Sequence, residues 1–103
     1  MKVEQEILDE IEKQAELMLS IDQCALLFRI DVDEFLKDGE IKDSYDRGFL
    51  KSVSEVRKSI YKMAKQGSTP AQKQMVEFMT ATNAENQKSA RKKTKGDISG
   101  SKS

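Results

Sequence analysis

The groups in this sequence best placed to do chemistry are carboxylates crowded into one short stretch, Asp31, Asp33 and Glu34, with Asp38 close behind. Oxygen donors at such spacing can hold a hard divalent cation. Their place beside a helix start gives them a simpler use, since a carboxylate there caps backbone N–H groups and faces the positive end of the helix dipole. Other reagents are scarce. The chain has no histidine and a single cysteine, so the commonest general base, the commonest metal ligand and any cysteine pair for zinc are missing. Cys24 lies in the apolar run Cys24-Ala25-Leu26-Leu27-Phe28, where a thiol acts as a small hydrophobe. The sequence reads as a protein that is not an enzyme and uses no cofactor or metal.

Positive charge is the other resource. Lys and Arg number 18, as do Asp and Glu, giving a formal net charge of zero. The distribution is uneven: residues 83–103 carry six Lys/Arg against Glu85 and Asp97, whereas residues 1–82 carry twelve against sixteen. A tail of +4 thus follows a body of −4, and such asymmetry speaks to partners more than the total does. Lys88, Arg91, Lys92, Lys93 and Lys95 in the tail, and Arg47, Lys51, Arg57 and Lys58 in a long periodic segment, are the candidate DNA-binding residues. Contacts of this kind hold phosphates and position a duplex without reading its sequence.

The elements that must present these charges are helices. Only one proline and five glycines occur, and the chain is rich in Glu, Lys, Gln, Ala, Met and Leu, the residues that lose least entropy in a helix. Residues 4–19 place Ile7, Leu8, Ile11, Ala15 and Met18 at helical spacing. Ser20 and Gln23 form a capping box for a second helix to Phe28, and Asp31 caps a third from Val32 to Lys37, which Asp38-Gly39 ends. From Asp43 or Ser44, Tyr45, Phe49, Val53, Val56, Ile60 and Met63 recur every three or four residues as far as Gly67. Ser68 or Thr69, with Pro70, opens a fifth helix carrying Met75, Phe78 and Met79 on one face. The expectation is an all-α chain in three parts: a helix-turn-helix-like segment over 1–40, an αα-hairpin over 41–82, and a disordered basic tail over 83–103.

Hydrophobic residues make up only 37% of the chain against 35% charged, so the core is thin and self-association would help it. Tyr45, Phe49, Val56, Ile60, Met63, Met75, Phe78 and Met79 are the candidate oligomerisation residues, Met-rich faces adapting well to partners. No run of ~18 apolar residues is present to span a bilayer. The acidic opening Met1-Lys2-Val3-Glu4-Gln5-Glu6 differs from a secretory leader, so a cytoplasmic protein is expected.

Within residues 20–35, Ala25 is followed five positions later by Ile30 and five later again by Phe35. A small residue lets a second helix cross closely, a β-branched one plugs the turn, and a large one seats the second helix on the first. That order resembles a helix-turn-helix, although Arg29 stands where the turn often has glycine, and the second helix bears Asp31, Asp33 and Glu34 against Lys37 alone. Carboxylates are repelled by phosphates, which argues against base reading by this helix.

Over residues 20–80 the chain resembles the small subunit of phage terminase, a DNA-packaging protein of tailed bacteriophages and prophages. The likeness rests on the helix-turn-helix-like segment, on Tyr45-Asp46-Arg47-Gly48, on the charged helix Glu55-Val56-Arg57-Lys58-Ser59-Ile60-Tyr61-Lys62-Met63-Ala64-Lys65-Gln66-Gly67, and on Ser68-Thr69-Pro70-Ala71-Gln72. The resemblance implies a non-catalytic protein of the host-cell cytoplasm whose N-terminal helices engage double-stranded viral DNA. It further implies a ring-shaped homo-oligomer built by the hairpin, and a C-terminal segment that recruits the large ATPase-nuclease subunit. Two readings of other kinds fit the same helices: a dimeric helix-turn-helix transcription regulator, and a helical protein-protein adaptor without DNA affinity.

Overall fold

The computed structural model describes the backbone of residues 3–102 and the side chains through Arg91. The chain is all-α, with five helices: α1 (Gln5–Glu16), α2 (Ile21–Phe28), α3 (Val32–Lys37), α4 (Gly39–Lys65) and α5 (Thr69–Lys102). It divides into two compact units, Met1–Lys58 and Ser59–Ser103.

Local hydrogen bonds set most of the helix ends. The Ser20 hydroxyl accepts from Gln23 N at 3.1 Å while Ser20 N donates to the Gln23 amide oxygen at 2.9 Å, the reciprocal pair predicted for α2. Asp31 accepts from Asp33 N at 2.9 Å and starts α3. Two boundaries differ from expectation. The sequence predicts that α4 begins at Asp43 or Ser44, but it begins at Gly39 because the Asp38 carboxylate accepts from Glu40 N and Ile41 N at 3.0 and 3.1 Å. Asp38 is thus the cap of the next helix as well as the end of the last, and Ile41 becomes a fully buried core residue. The first helix was expected to reach residue 19; it stops at Glu16, where Met18 turns left-handed with φ of 69°.

That stop recurs along the chain. After α1, Met18 N donates to Ala15 O and Leu19 N to Gln14 O. After α2, Arg29 N donates to Leu26 O and Ile30 N to Ala25 O, with Arg29 at φ of 57°. After α4, Gly67 N donates to Ala64 O and Ser68 N to Met63 O, with Gly67 at φ of 99°. Each is a Schellman closure, which requires one left-handed residue to satisfy the last carbonyls. Only the third uses the residue that takes this conformation without steric cost.

The core lies in the first unit. Leu8, Ile11 and Ala15 of α1 meet Cys24 and Ala25 of α2, Ile30 of the turn, Phe35 of α3, and Ile41 and Tyr45 of α4. Tyr45 packs edge-on against Phe35, ring centroids 5.9 Å apart at 76°, and donates its hydroxyl to Leu19 O at 2.7 Å. Gly48 is buried where α4 crosses α1. A Cβ added there would lie 2.8 Å from Ala15 Cβ and 2.9 Å from Glu12 C, and closer still to Glu12 O. The first half of α4 therefore belongs to the N-terminal core, whereas the sequence division at residue 40 groups it with the hairpin.

In the second unit the end of α4 and the start of α5 form the predicted αα-hairpin. Ser68 caps α5, accepting from Ala71 N at 3.4 Å, and the Gln72 amide donates to Ala64 O at 3.0 Å across the turn. Ala71 is buried, and Ile60, Ala64, Met75 and Phe78 are half-buried. Helix α5 continues past Thr82 into the stretch predicted to be a disordered tail. Through residues 83–91 every side chain is exposed, so this part of the helix is supported by local propensity alone, which is marginal in water. The side chains of residues 92–103, the rest of the predicted tail, lie outside the described residues.

Two substitutions should act against what helix propensity predicts. Gly48→Ala would add about 1 kcal/mol on propensity, yet the overpacking against Glu12 and Ala15 should turn this into a loss of about 1–3 kcal/mol in urea unfolding. Met18→Gly should raise stability by roughly 0.5–1 kcal/mol, because left-handed strain of about 1–2 kcal/mol is relieved at some cost in chain entropy. An unchanged urea midpoint in either variant would contradict these packing and strain assignments.

Candidate nucleic-acid interface

On α4, helical spacing places Arg47, Lys51 and Lys58 on one side and Phe49, Val53 and Val56 on the other. All three basic residues are exposed. Lys51 reaches across to α1 and pairs with Glu12, which pushes the Lys51 ammonium above its usual range through the hydrogen bond and the neighbouring carboxylates of Glu12 and Glu16. Lys58 pairs with Glu55 at 3.3 Å on its own helix. Between α1 and α4, Glu16, Arg47, Leu50, Lys51, Ser54 and Glu55 line a shallow groove. Two carboxylates and two cations share that groove, so its charge is balanced and its pull on a phosphate backbone is weak.

Farther along, Lys88 sits 3.7 Å from Glu85, both side chains about three-quarters exposed. An ion pair that exposed contributes little and yields readily to a phosphate. Arg91 is exposed. Arg57 is exposed and engaged in an interaction of its own. The side chains of Lys92, Lys93 and Lys95 lie outside the described residues. On α4, Lys51 and Lys58 are thus held beside carboxylates, whereas the candidates near the C-terminus lie in a stretch of the sequence where acidic residues are few.

The acidic stretch has a structural use. Asp31 and Asp38 serve as helix caps, and Asp33 and Glu34 lie in the first turn of α3, exposed to solvent. Among the described residues, no three acidic or cysteine side chains come together as a donor set for a metal ion.

The oligomerisation candidates also divide. Tyr45 is buried in the N-terminal core and bonded to Leu19 O, so its ring is held inside the protomer. Its signal in the sequence was the same three-to-four spacing that marks its neighbours, which cannot separate a core face from an interface. Phe49 stacks on Tyr45 at 6.4 Å and remains 38% exposed, while Val56, Met63 and Met79 are each more than half exposed. Ile60, Met75 and Phe78 are half-buried. Sequence reasoning missed Leu26, 82% exposed, and Leu27, 55% exposed, on the outer side of α2. Leu36 of α3 is exposed too. No helix among the described residues is long and apolar enough to cross a membrane.

No protein-family model, curated protein or solved structure matches the chain.

Cys24 is fully buried, and burial pushes its thiol up. Its reaction with a disulfide reagent at pH 8 should run at least about a hundredfold slower in native protein than in urea-unfolded protein, because the chain must open to expose it. Equal rates in both states would show that the α1–α2 core is not closed around the thiol.

Proposed function

We propose that this chain is a non-catalytic DNA-packaging protein of the phage terminase small-subunit kind. In this reading it binds double-stranded viral DNA as a ring-shaped homo-oligomer in the host cytoplasm and recruits the large ATPase-nuclease subunit. The observation that carries the reading is the division of α4: basic residues Arg47, Lys51 and Lys58 on one side, and apolar Phe49 and Val56 exposed on the opposite side. One helix can then meet neighbouring subunits and nucleic acid at once. The order of motifs over residues 20–80 supports the packaging role, and the basic C-terminal stretch supplies the larger share of phosphate contact.

The acidic α3 favours this over a transcription regulator. A recognition helix must lie against phosphates and base edges in the major groove, and the exposed Asp33 and Glu34 would be repelled there. In the proposed mechanism α3 stays off the duplex. The DNA is held through its backbone, with Lys88, Arg91, Lys92, Lys93 and Lys95 as the principal contacts and Arg47, Lys51, Arg57 and Lys58 as secondary ones.

Two measurements test this. Light scattering of the purified full chain should give a mass of many protomers. A gel-shift titration across salt should show affinity falling with a log–log slope of about −0.9 per phosphate neutralised. Replacing Lys88, Arg91, Lys92, Lys93 and Lys95 by Gln should cut that slope by up to about five. A slope unchanged in that variant would remove the C-terminal stretch from the DNA contact, and a monomeric chain without DNA affinity would remove the reading altogether.

A further inference from the structure

Residues 1–58 hold nine Lys/Arg against fifteen Asp/Glu, and residues 59–103 hold nine against three, giving −6 and +6. Part of that positive charge lies away from the C-terminal stretch. Between Glu55 and Glu77 the sequence has five Lys/Arg and no carboxylate side chain. Three of the five, Lys62, Lys65 and Lys73, belong to the second unit and are exposed. On α4 the hairpin uses Ile60 and Ala64 as its half-buried side. Tyr61, Lys62 and Lys65 lie outside that side, and Tyr61 is 53% exposed. Lys65 is four residues from Tyr61 and three from Lys62, so it neighbours both on the helix surface. Its Nζ lies 5.2 Å from the centroid of the Tyr61 ring.

A solvated lysine face needs no aromatic ring. The chain's other tyrosine, Tyr45, is buried with its hydroxyl bonded to Leu19 O, whereas Tyr61 presents its ring to water among ammonium groups. An exposed ring among cations is the combination that holds an unpaired nucleic-acid strand, because bases stack on the ring while the cations take the phosphates. Bases inside a duplex already stack on one another, so the ring adds nothing to a contact with duplex backbone.

We propose that Tyr61, Lys62 and Lys65 form a site for unpaired DNA, with Tyr61 stacking on a base and the two lysines contacting the flanking phosphates. This goes beyond the duplex contact of the proposed function and does not depend on it. Met63, a candidate for contact between copies, is two residues from both Tyr61 and Lys65. Residues two apart do not share a helix side, so the strand and a second copy meet different sides of α4.

The test is a fluorescence-anisotropy titration of the full chain against a labelled oligo(dT) of about 20 nucleotides and, separately, a blunt duplex of the same length. Tyr61→Leu should weaken oligo(dT) binding by about five- to a hundredfold and leave duplex binding unchanged. Tyr61→Phe keeps the ring and should bind oligo(dT) as the parent does. Lys62→Gln with Lys65→Gln should lower the oligo(dT) salt slope by about 1.4, two phosphates' worth for a single strand. Helical circular dichroism equal to the parent establishes folding, and the lysine variant serves if Tyr61→Leu loses helix. Oligo(U) should bind like oligo(dT), since neither stacking nor phosphate contact uses the 2′-hydroxyl; a strand bound only as RNA overturns the assignment to DNA. Oligo(dT) affinity unchanged in Tyr61→Leu, or a loss equal for strand and duplex, overturns the stacking site. A parent that binds the duplex but not oligo(dT) overturns the site and leaves the proposed function standing. One that binds oligo(dT) through Tyr61 but not the duplex does the reverse.

Discussion

The approach of α1 to α4 at Gly48 is the constraint on which the N-terminal unit depends. Helices that cross this closely bring backbone against backbone, and the missing Cβ of Gly48 leaves room for the Glu12 carbonyl and the Ala15 methyl. Three consequences follow along α4. One turn earlier, Tyr45 comes within reach of Leu19 O and closes the end of α1. One turn later, Lys51 reaches Glu12. On the inner side, Ile41 and Tyr45 cover Phe35 and complete the core. A glycine inside a helix is unfavourable by about 1 kcal/mol relative to alanine, and here that loss is offset by the packing it permits.

The resulting core is small, and its size explains what is left outside. Nine buried residues from four helices and one turn enclose it, with α2 and α3 short enough that each gives only one face. Leu26, Leu27 and Leu36 lie on the other faces, and Val56 and Met63 lie on the part of the surface that α4 presents beyond the core. Each such side chain would gain about 1.5–3 kcal/mol if fully buried. Several of them on one chain leave exposed apolar area, which the proposed function assigns to contact between copies.

The two units carry opposite net charge, −6 over residues 1–58 and +6 over residues 59–103. In the proposed function this separation keeps nucleic acid away from the acidic N-terminal helices and draws it to the C-terminal stretch. Within the first unit, the Lys51–Glu12 pair and the shared groove of Glu16, Arg47, Lys51 and Glu55 balance the basic side of α4. DNA affinity in the proposed function therefore leans on the residues with fewest acidic neighbours.

The sequence by itself determined the helical class, the bounds of α2 and α3, and the hairpin turn, because Ser20, Gln23, Asp31 and Gly67 act through hydrogen bonds spanning only a few residues. Burial of Ala25, Ile30 and Phe35 was legible in the same way, from spacing. The uneven charge was legible from composition. The left-handed turn at Met18 was not, since that residue type does not favour the conformation, whereas Arg29 stands at the turn position where a helix-turn-helix often has glycine. The use of Asp38 as a cap was hidden behind Gly39, which reads as a stop. Only the tertiary structure decided that Tyr45 is core, that Gly48 is a crossing point, that Lys51 is paired 39 positions away, and that Leu26 faces outward. Those four depend on which helix lies against which, and a periodic pattern specifies a face without naming what covers it.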